Sequence, residues 1–279
     1  MKARLELRFE ACRGKTRLRL GSQEPPWRVI RAFPLADGGA LVHLHNVSGG
    51  VLAGDTLSLD VHVGPGARAQ ITTTGASRLY RHRPGLADSE QEVTIRVEDS
   101  GLLEYLPDAV IPFTGSRHAQ RTTIWLAERA SLFAWETMAP GRQAMGEQFA
   151  FESLRLRTRI ESSLRPLVFE DFCLEPDTAP PGSPARLGGY TYMTSFYAIQ
   201  VGRPAPELRE LEHQLGEIAV HESRPGCTIW GASALAADGV MVRGLSTAAS
   251  SLPATLAGFW KIARRFLTGE DAVPPRKLK

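Results

Sequence analysis

Thr56-Leu57-Ser58-Leu59-Asp60-Val61-His62-Val63-Gly64-Pro65-Gly66-Ala67-Arg68-Ala69-Gln70-Ile71 decides the fold class of this chain. Leu57, Leu59, Val61 and Val63 alternate with Thr56, Ser58, Asp60 and His62, the period of two that sends successive side chains to opposite faces of a β-strand. Gly64-Pro65-Gly66 is a strong turn, and Ala67, Ala69 and Ile71 resume the alternation beyond it. The pattern predicts a β-hairpin at this point.

The same period extends in both directions. Leu5, Leu7 and Phe9 alternate with Arg4, Glu6 and Arg8, and Val93, Ile95 and Val97 with Thr94, Arg96 and Glu98. Arg121–Leu126, Ser131–Trp135 and Leu154–Ile160 read as further strands. Many short strands joined by polar turns predict a mainly β protein of stacked sheets or a β-solenoid, not alternating βαβ units. No repeat of fixed period is visible, so a regular solenoid is not predicted.

Toward the C-terminus the period changes. After Pro204 and Pro206, the residues Leu208, Leu211, Leu215 and Ile218 fall on one stripe of a helix. A second helix is expected with Ser251 as its cap, Leu252, Leu256, Trp260 and Ala263 on its buried face, and Gly269 at its end. Arg264 and Arg265 suit the negative end of its dipole. Pro176-Asp177-Thr178-Ala179-Pro180-Pro181-Gly182-Ser183-Pro184 holds four prolines in nine residues and reads as a surface loop. The expected organisation is one domain over 1–279, with a β-rich part at 1–175, the proline-rich loop at 176–189 and mixed strand and helix at 190–279.

Composition narrows the function. A chain of 279 residues that is 43% hydrophobic can bury a large core and is not disordered throughout. Its formal charge of +3 is too small to argue for nucleic acid, and the basic run from Arg13 to Arg19 reads as the solvated face of a strand. Cys12, Cys173 and Cys227 form no CxxC pair, which argues against a disulfide framework or a structural zinc site and for a reduced compartment. The N-terminus lacks the apolar core of a signal peptide, and no stretch is apolar enough to span a bilayer. A cytoplasmic chain with no membrane or nucleic-acid partner is expected.

Four clusters carry chemistry. The first, Leu44-His45-Asn46-Val47-Ser48-Gly49-Gly50-Val51-Leu52-Ala53-Gly54-Asp55, has glycines at Gly49, Gly50 and Gly54 that allow positive φ or close backbone approach. Asp55 can accept hydrogen bonds from nearby backbone N–H groups. Just upstream, His43 and His45 lie two apart and share a strand face, which suits a two-His metal contact; a tight turn beside a polar strand face is the plainer reading. The second cluster, Thr72-Thr73-Thr74-Gly75-Ala76-Ser77-Arg78-Leu79-Tyr80-Arg81, suits an anion or a strand end. In the third, Leu103-Glu104-Tyr105-Leu106-Pro107-Asp108 followed by Ile111-Pro112-Phe113, Glu104 and Asp108 stand among bulky apolar residues; buried, they need a cation or a metal. The fourth sets Glu136 before Gly141-Arg142 and Gly146-Glu147, where the plain reading is an ion pair of Arg142 with a glutamate. No GxSxG, HExxH or GxGxxG pattern is present, and Gly14-Lys15-Thr16 lacks the rest of a P-loop.

Taken in order, the clusters resemble one family, the urease accessory proteins called UreD or UreH. The matching pieces are SGGVLAGD at Ser48–Asp55, TTTGASRLYR at Thr72–Arg81, LEYLPDAVIPF at Leu103–Phe113 and ETMAPGRQAMGE at Glu136–Glu147, with Gly49, Gly50, Gly54, Tyr80 and Arg142 as motif positions. The stretch with Trp260, Arg264, Arg265, Gly269 and Pro275-Arg276 resembles the family's ending. One departure is Ala53, where many relatives carry glycine.

The resemblance implies a non-enzymatic role in urease maturation. It implies binding to the urease apoprotein and to a helical accessory protein, UreF, and through UreF to the nickel-carrying GTPase UreG. It also implies a β-helix-like fold with a wet interior path for transient nickel(II) and no tightly bound cofactor. Weak, carboxylate-lined walls suit such a path better than a tight cage, because affinity order at a tight site favours copper over nickel. Asp55, Glu104, Asp108, Glu136 and Glu147 are the expected wall residues, with His43 or His45 near an opening, and Trp260, Arg264 and the proline-rich loop as partner contacts. The rival reading is a β-rich metalloenzyme with a His/carboxylate site, which needs a tight ligand set.

Overall fold

The structure, a computed structural model, describes residues 1–275; Arg276 of the expected ending lies outside the described residues. Among the described residues the chain forms 18 strands, two α-helices and a short 3-10 helix at Gln143–Met145. The N-terminal strands are β1 (Lys2–Cys12), β2 (Lys15–Gln23), β3 (Trp27–Arg28), β4 (Ala32–Pro34), β5 (Ala40–Asn46), β6 (Thr56–Val63), β7 (Arg68–Thr73), β8 (Ser77–Leu79) and β9 (Ser89–Val97). Then come β10 (Leu102–Leu106), β11 (Val110–Pro112), β12 (Arg117–Leu126), β13 (Ser131–Met138), β14 (Ser153–Ser162), β15 (Pro166–Leu174) and β16 (Tyr192–Gln200). The chain closes with α1 (Ala205–Glu222), β17 (Thr228–Ala234), β18 (Gly239–Ser246) and α2 (Leu252–Thr268). No described helix is long and apolar enough to cross a membrane.

Two sheets face each other. One runs β15-β14-β12-β9-β6-β1-β2, and the other β17-β18-β16-β13-β10-β7-β5-β3. From β6 to β14 the chain alternates between them, and strands within each sheet's centre pair in parallel. The strands are stacked as the alternation predicts, in the β-helix-like arrangement that the resemblance implies.

The hairpin expected at Gly64-Pro65-Gly66 does not form. β6 pairs with β1 and β9 in one sheet, whereas β7 pairs with β5 and β10 in the other. The turn is a corner between sheets, because parallel rungs require the chain to cross the sandwich instead of folding back. Two further corners stack upon it: the Gly66 N–H donates to Asp99 O at 3.0 Å, and the Ser100 N–H to Glu128 O at 3.0 Å. Gly66, Ser100 and Arg129 occupy equivalent places, with φ of 63°, 55° and 55°.

These corners explain why no repeat shows in the sequence. Ala40 lies beside Ala69, Ala69 beside Leu103 and Leu103 beside Leu132, so successive rungs are offset by 29, 34 and 29 residues. Only one of the three left-handed corner positions is a glycine.

The inward residues of both sheets make one core, with Leu5, Phe9, Leu59, Val61, Ile95, Leu126, Ile71 and Leu132 at 3% exposure or less. A second cluster lies behind the other sheet, where α1 buries Leu208, Leu211 and Leu215, and α2 buries Leu252, Leu256, Phe259, Trp260 and Ala263. Gly269 ends α2 at φ 74°, as expected. Ser251 occupies the N-cap position, but its backbone is helical and its side chain makes no capping bond. In the proline-rich segment Leu187 tucks into the core at 5% exposure.

Candidate functional site

The alternation that makes the core changes character at one end of the sandwich. Near the corner turns the inward positions are aliphatic. At the opposite end, the starts of β9 and β12 and the end of β13 turn inward Gln91, Gln120, Thr122 and Glu136, which line a cavity of about 220 Å3. Tyr105 of β10, Thr158 of β14 and Tyr197 of β16 complete its walls. The cavity extends to Asn46, Gly49, Gly50, Asp108 and the Thr73–Arg78 segment, so all four sequence clusters contribute to this end.

Glu136 is a carboxylate of the cavity wall. Gln120 Nε2 donates to its Oε1 at 2.9 Å. Burial pushes the Glu136 carboxyl up to about 7, because loss of water disfavours its charged form. Burial also raises the Tyr105 and Tyr197 phenols, with the nearby Glu136 charge adding to the effect.

Asp108 stands on the same cavity's lining. Thr73 Oγ1 donates to its Oδ2 at 3.0 Å, while the Asp108 N–H donates to Thr73 Oγ1 at 2.8 Å. The glycine segment forms the neighbouring wall. A Cβ on Gly50 would stand 2.5 Å from Arg78 O and from Tyr80 Cε2, so glycine is required there by close approach. Val51 and Leu79 bridge in parallel at this point.

The other expected wall residues lie elsewhere. Asp55 is 2% exposed and holds the glycine turn: its Oδ2 accepts the Leu52 N–H at 2.9 Å, and its Oδ1 pairs with the Met1 amine at 3.1 Å. Glu104 points to the opposite face of its sheet, toward α2. Its Oε1 accepts from Arg264 Nε at 2.7 Å and Trp260 Nε1 at 3.0 Å, and its Oε2 from Gln70 Nε2 at 2.6 Å. Burial raises the Glu104 carboxyl and the Arg264 charge pulls it back. The cation that a buried Glu104 needs is therefore an arginine. Glu147 pairs with Arg142 in a surface cleft beside Tyr80 and Phe113, and this pairing holds its carboxyl down at about 2. Arg142 also lies 4.3 Å over the Phe113 ring, which meets Tyr80 edge-on.

His43 and His45 share a face, as their spacing requires, but it is the face opposite Val42 and Leu44, which are in the core. His43 is 8% exposed and packs edge-on against Phe33. Burial, followed by the His43 charge, lowers the His45 imidazole. Trp260 and Arg264, expected at a partner contact, are each 1% exposed. They bind α2 to its own sheet, since both lie on the helix stripe that the sheet buries; Lys261, Ile262 and Arg265 form the exposed side instead. Among the described residues, no three His, Cys, Asp or Glu side chains gather where they could hold a metal ion.

Gln91, Gln120, Tyr197, Thr122 and Thr158 lie outside the sequence motifs. The sequence does carry a signal for several of them. Gln91 precedes Val93 and Ile95, and Gln120 and Thr122 precede Ile124 and Leu126, at positions whose period places them inward. A polar residue in an apolar register marks a wet interior.

Comparison with known proteins agrees with the motifs. The family described as UreD urease accessory protein matches residues 1–279. A urease accessory protein UreD of Herpetosiphon aurantiacus is 40% identical over 278 residues, covering 100% of this chain and 96% of that protein. Another of Pseudomonas putida strain W619 is 31% identical over 274 residues, covering 98% and 92%. A third, of Deinococcus radiodurans, is 34% identical over 210 residues, covering 73% and 74%. These relatives are named as accessory proteins of an enzyme, not as enzymes. The chain belongs to the UreD urease accessory protein family.

Proposed function

We propose that this chain acts in the cytoplasm as a scaffold and conduit in urease maturation, passing nickel(II) toward the apoprotein. Its partners on this reading are a UreF-like helical protein, a UreG-like GTPase engaged through it, and the urease apoprotein. The observation that carries the proposal is the cavity with Glu136 inside and the Gly49-Gly50 and Thr73–Arg78 segments along its lining. A carboxylate, two amides and several hydroxyls offer a divalent cation hard, exchangeable donors. Such walls let an ion enter and leave, which a cage of histidines and thiolates does not.

Glu136 and Asp108 are the path carboxylates on this reading. Asp55 shapes the glycine turn, and Glu104 and Glu147 are held by arginines. The test is Glu136→Gln in a co-expression of the chain with apo-urease, the helical protein and the GTPase. Nickel content of the purified urease should fall while the complex still co-purifies. Full nickel loading with the variant would refute the conduit.

A further inference from the structure

Beside the cavity, next to Tyr197, an ion pair joins the edge of one sheet to the other. β15 is the last strand of its sheet, while the facing sheet continues through β16, β18 and β17. Glu170 of β15 lies opposite Thr158 of β14, whose side chain lines the cavity, so both residues share the inward face. Glu170 Oε2 accepts from the Tyr197 hydroxyl at 2.6 Å and the Ser195 hydroxyl at 3.3 Å, both on β16. Its Oε1 is taken by the Arg243 guanidinium of β18. The Glu170 side chain is 16% exposed and that of Arg243 49%. The carboxylate is thus inside and the guanidinium reaches water.

Tyr197 joins this pair to the interior. It is 2% exposed, lines the cavity and lies close enough to Glu136 to feel its charge. One phenol therefore stands between two carboxylates, Glu136 within and Glu170 at the edge.

We propose that Glu170 is a second cation-binding carboxylate, placed at a lateral exit of the cavity, and that Arg243 is a displaceable plug on it. This rests on the cation-conduit reading above. An arriving divalent, oxygen-preferring cation competes with a single positive charge for the same carboxylate. A guanidinium already half in water loses little when it swings out, because partly exposed ion pairs are weak and salt-screened. The Glu104–Arg264 pair cannot behave this way, since its side chains are 2% and 1% exposed and breaking it strands a buried charge.

The experiment uses the full-length chain, nickel chloride and a colorimetric chelator that reports release after dilution. Arg243→Gln should release nickel about tenfold faster than wild type and bind an additional ion on the freed Glu170. The double variant Arg243→Gln/Glu170→Gln should lose that additional ion. Wild-type release should quicken as potassium chloride screens the pair. Should Arg243→Gln fail to fold, the salt series decides, and a rate independent of salt overturns the plug. Unchanged release and stoichiometry in Arg243→Gln, with uptake lowered by Glu136→Gln, overturns the exit while the conduit stands. Unchanged uptake in Glu136→Gln overturns the conduit, and the exit with it.

Discussion

Arg264 reaches Glu104 across 160 positions of sequence, Nε to Oε1 at 2.7 Å, and ties α2 to the middle of the sheet behind it. The same guanidinium also pairs with Asp37 and donates through Nη1 to Asp271 O at 2.5 Å. One arginine thereby fixes the last helix, the β4–β5 turn and the segment after α2. The identity of this cation separates the structural carboxylates from those of the cavity.

Glu104→Ala should destabilise the chain by about 3–5 kcal/mol, the cost of leaving a buried charge unpaired. Replacing both partners, Glu104→Leu with Arg264→Met, should recover much of that loss. Urea unfolding of wild type and both variants checks this, and equal stability of single and double variants would contradict it.

Glu136 should give the chain a pH dependence of the opposite sign to ordinary surface carboxylates. Its folded value of about 7 stands above the ordinary glutamate value of 4.5, so the folded state holds the proton more tightly. The stabilising contribution is present below pH 4.5 and is lost as pH rises through about 7. Because the Glu136 residue is only partly buried, its size is reduced to about 2 kcal/mol. Glu136→Gln should therefore gain stability relative to wild type between pH 5 and 8, measured by urea unfolding at each pH. A gap that stays constant over this range would show that Glu136 does not titrate there.

Much of this architecture was legible because period two is a strong signal wherever one face is buried. Leu57 to Val63 lie inward as read. The hairpin at Gly64 was misread because a turn sequence fixes a reversal of direction, not which sheet receives the next strand; that choice is made by Ala69 and Ile71 packing beside Ala40 and Val42. Glu104 was misplaced for a related reason. Its neighbours Leu103 and Tyr105 face the core, so alternation sends it the other way, and only the distant α2 reveals that the other face is buried too. The cavity was legible in part, through Glu136 and Asp108 by motif and through Gln91 and Gln120 by register. Glu170 was hidden because the facing strand β16 that completes its surroundings follows 17 residues of irregular chain, 175–191.

His118 should make the fold acid-sensitive. It is 3% exposed, its Nδ1 lies 2.9 Å from Ser89 Oγ, and its Nε2 has no hydrogen-bonding partner among the described residues. Burial lowers its imidazole to about 4, so the unfolded state takes up the proton first as pH falls below 6.5. Stability present above that pH should decline by about 3 kcal/mol by pH 4. His118→Leu should flatten this decline in denaturant midpoints between pH 7 and 4. An equally steep decline in the variant would place the acid sensitivity elsewhere.

Gly50→Ala tests the cavity wall without touching a charge. The added Cβ meets Arg78 O and Tyr80 Cε2 at 2.5 Å, and the first of these is backbone that accepts the Val51 N–H at 2.8 Å. Relief therefore requires β8 to move away from Val51, opening the bridge that seals this side of the cavity. The cost should be about 1–3 kcal/mol, as for other overpacked sites. Gly75→Ala, also on the cavity lining but with open space around its Cβ, should cost far less. Thermal unfolding of the pair measures the difference. Near-equal losses would show that the glycine is kept for chain flexibility and not for the close approach of these two segments.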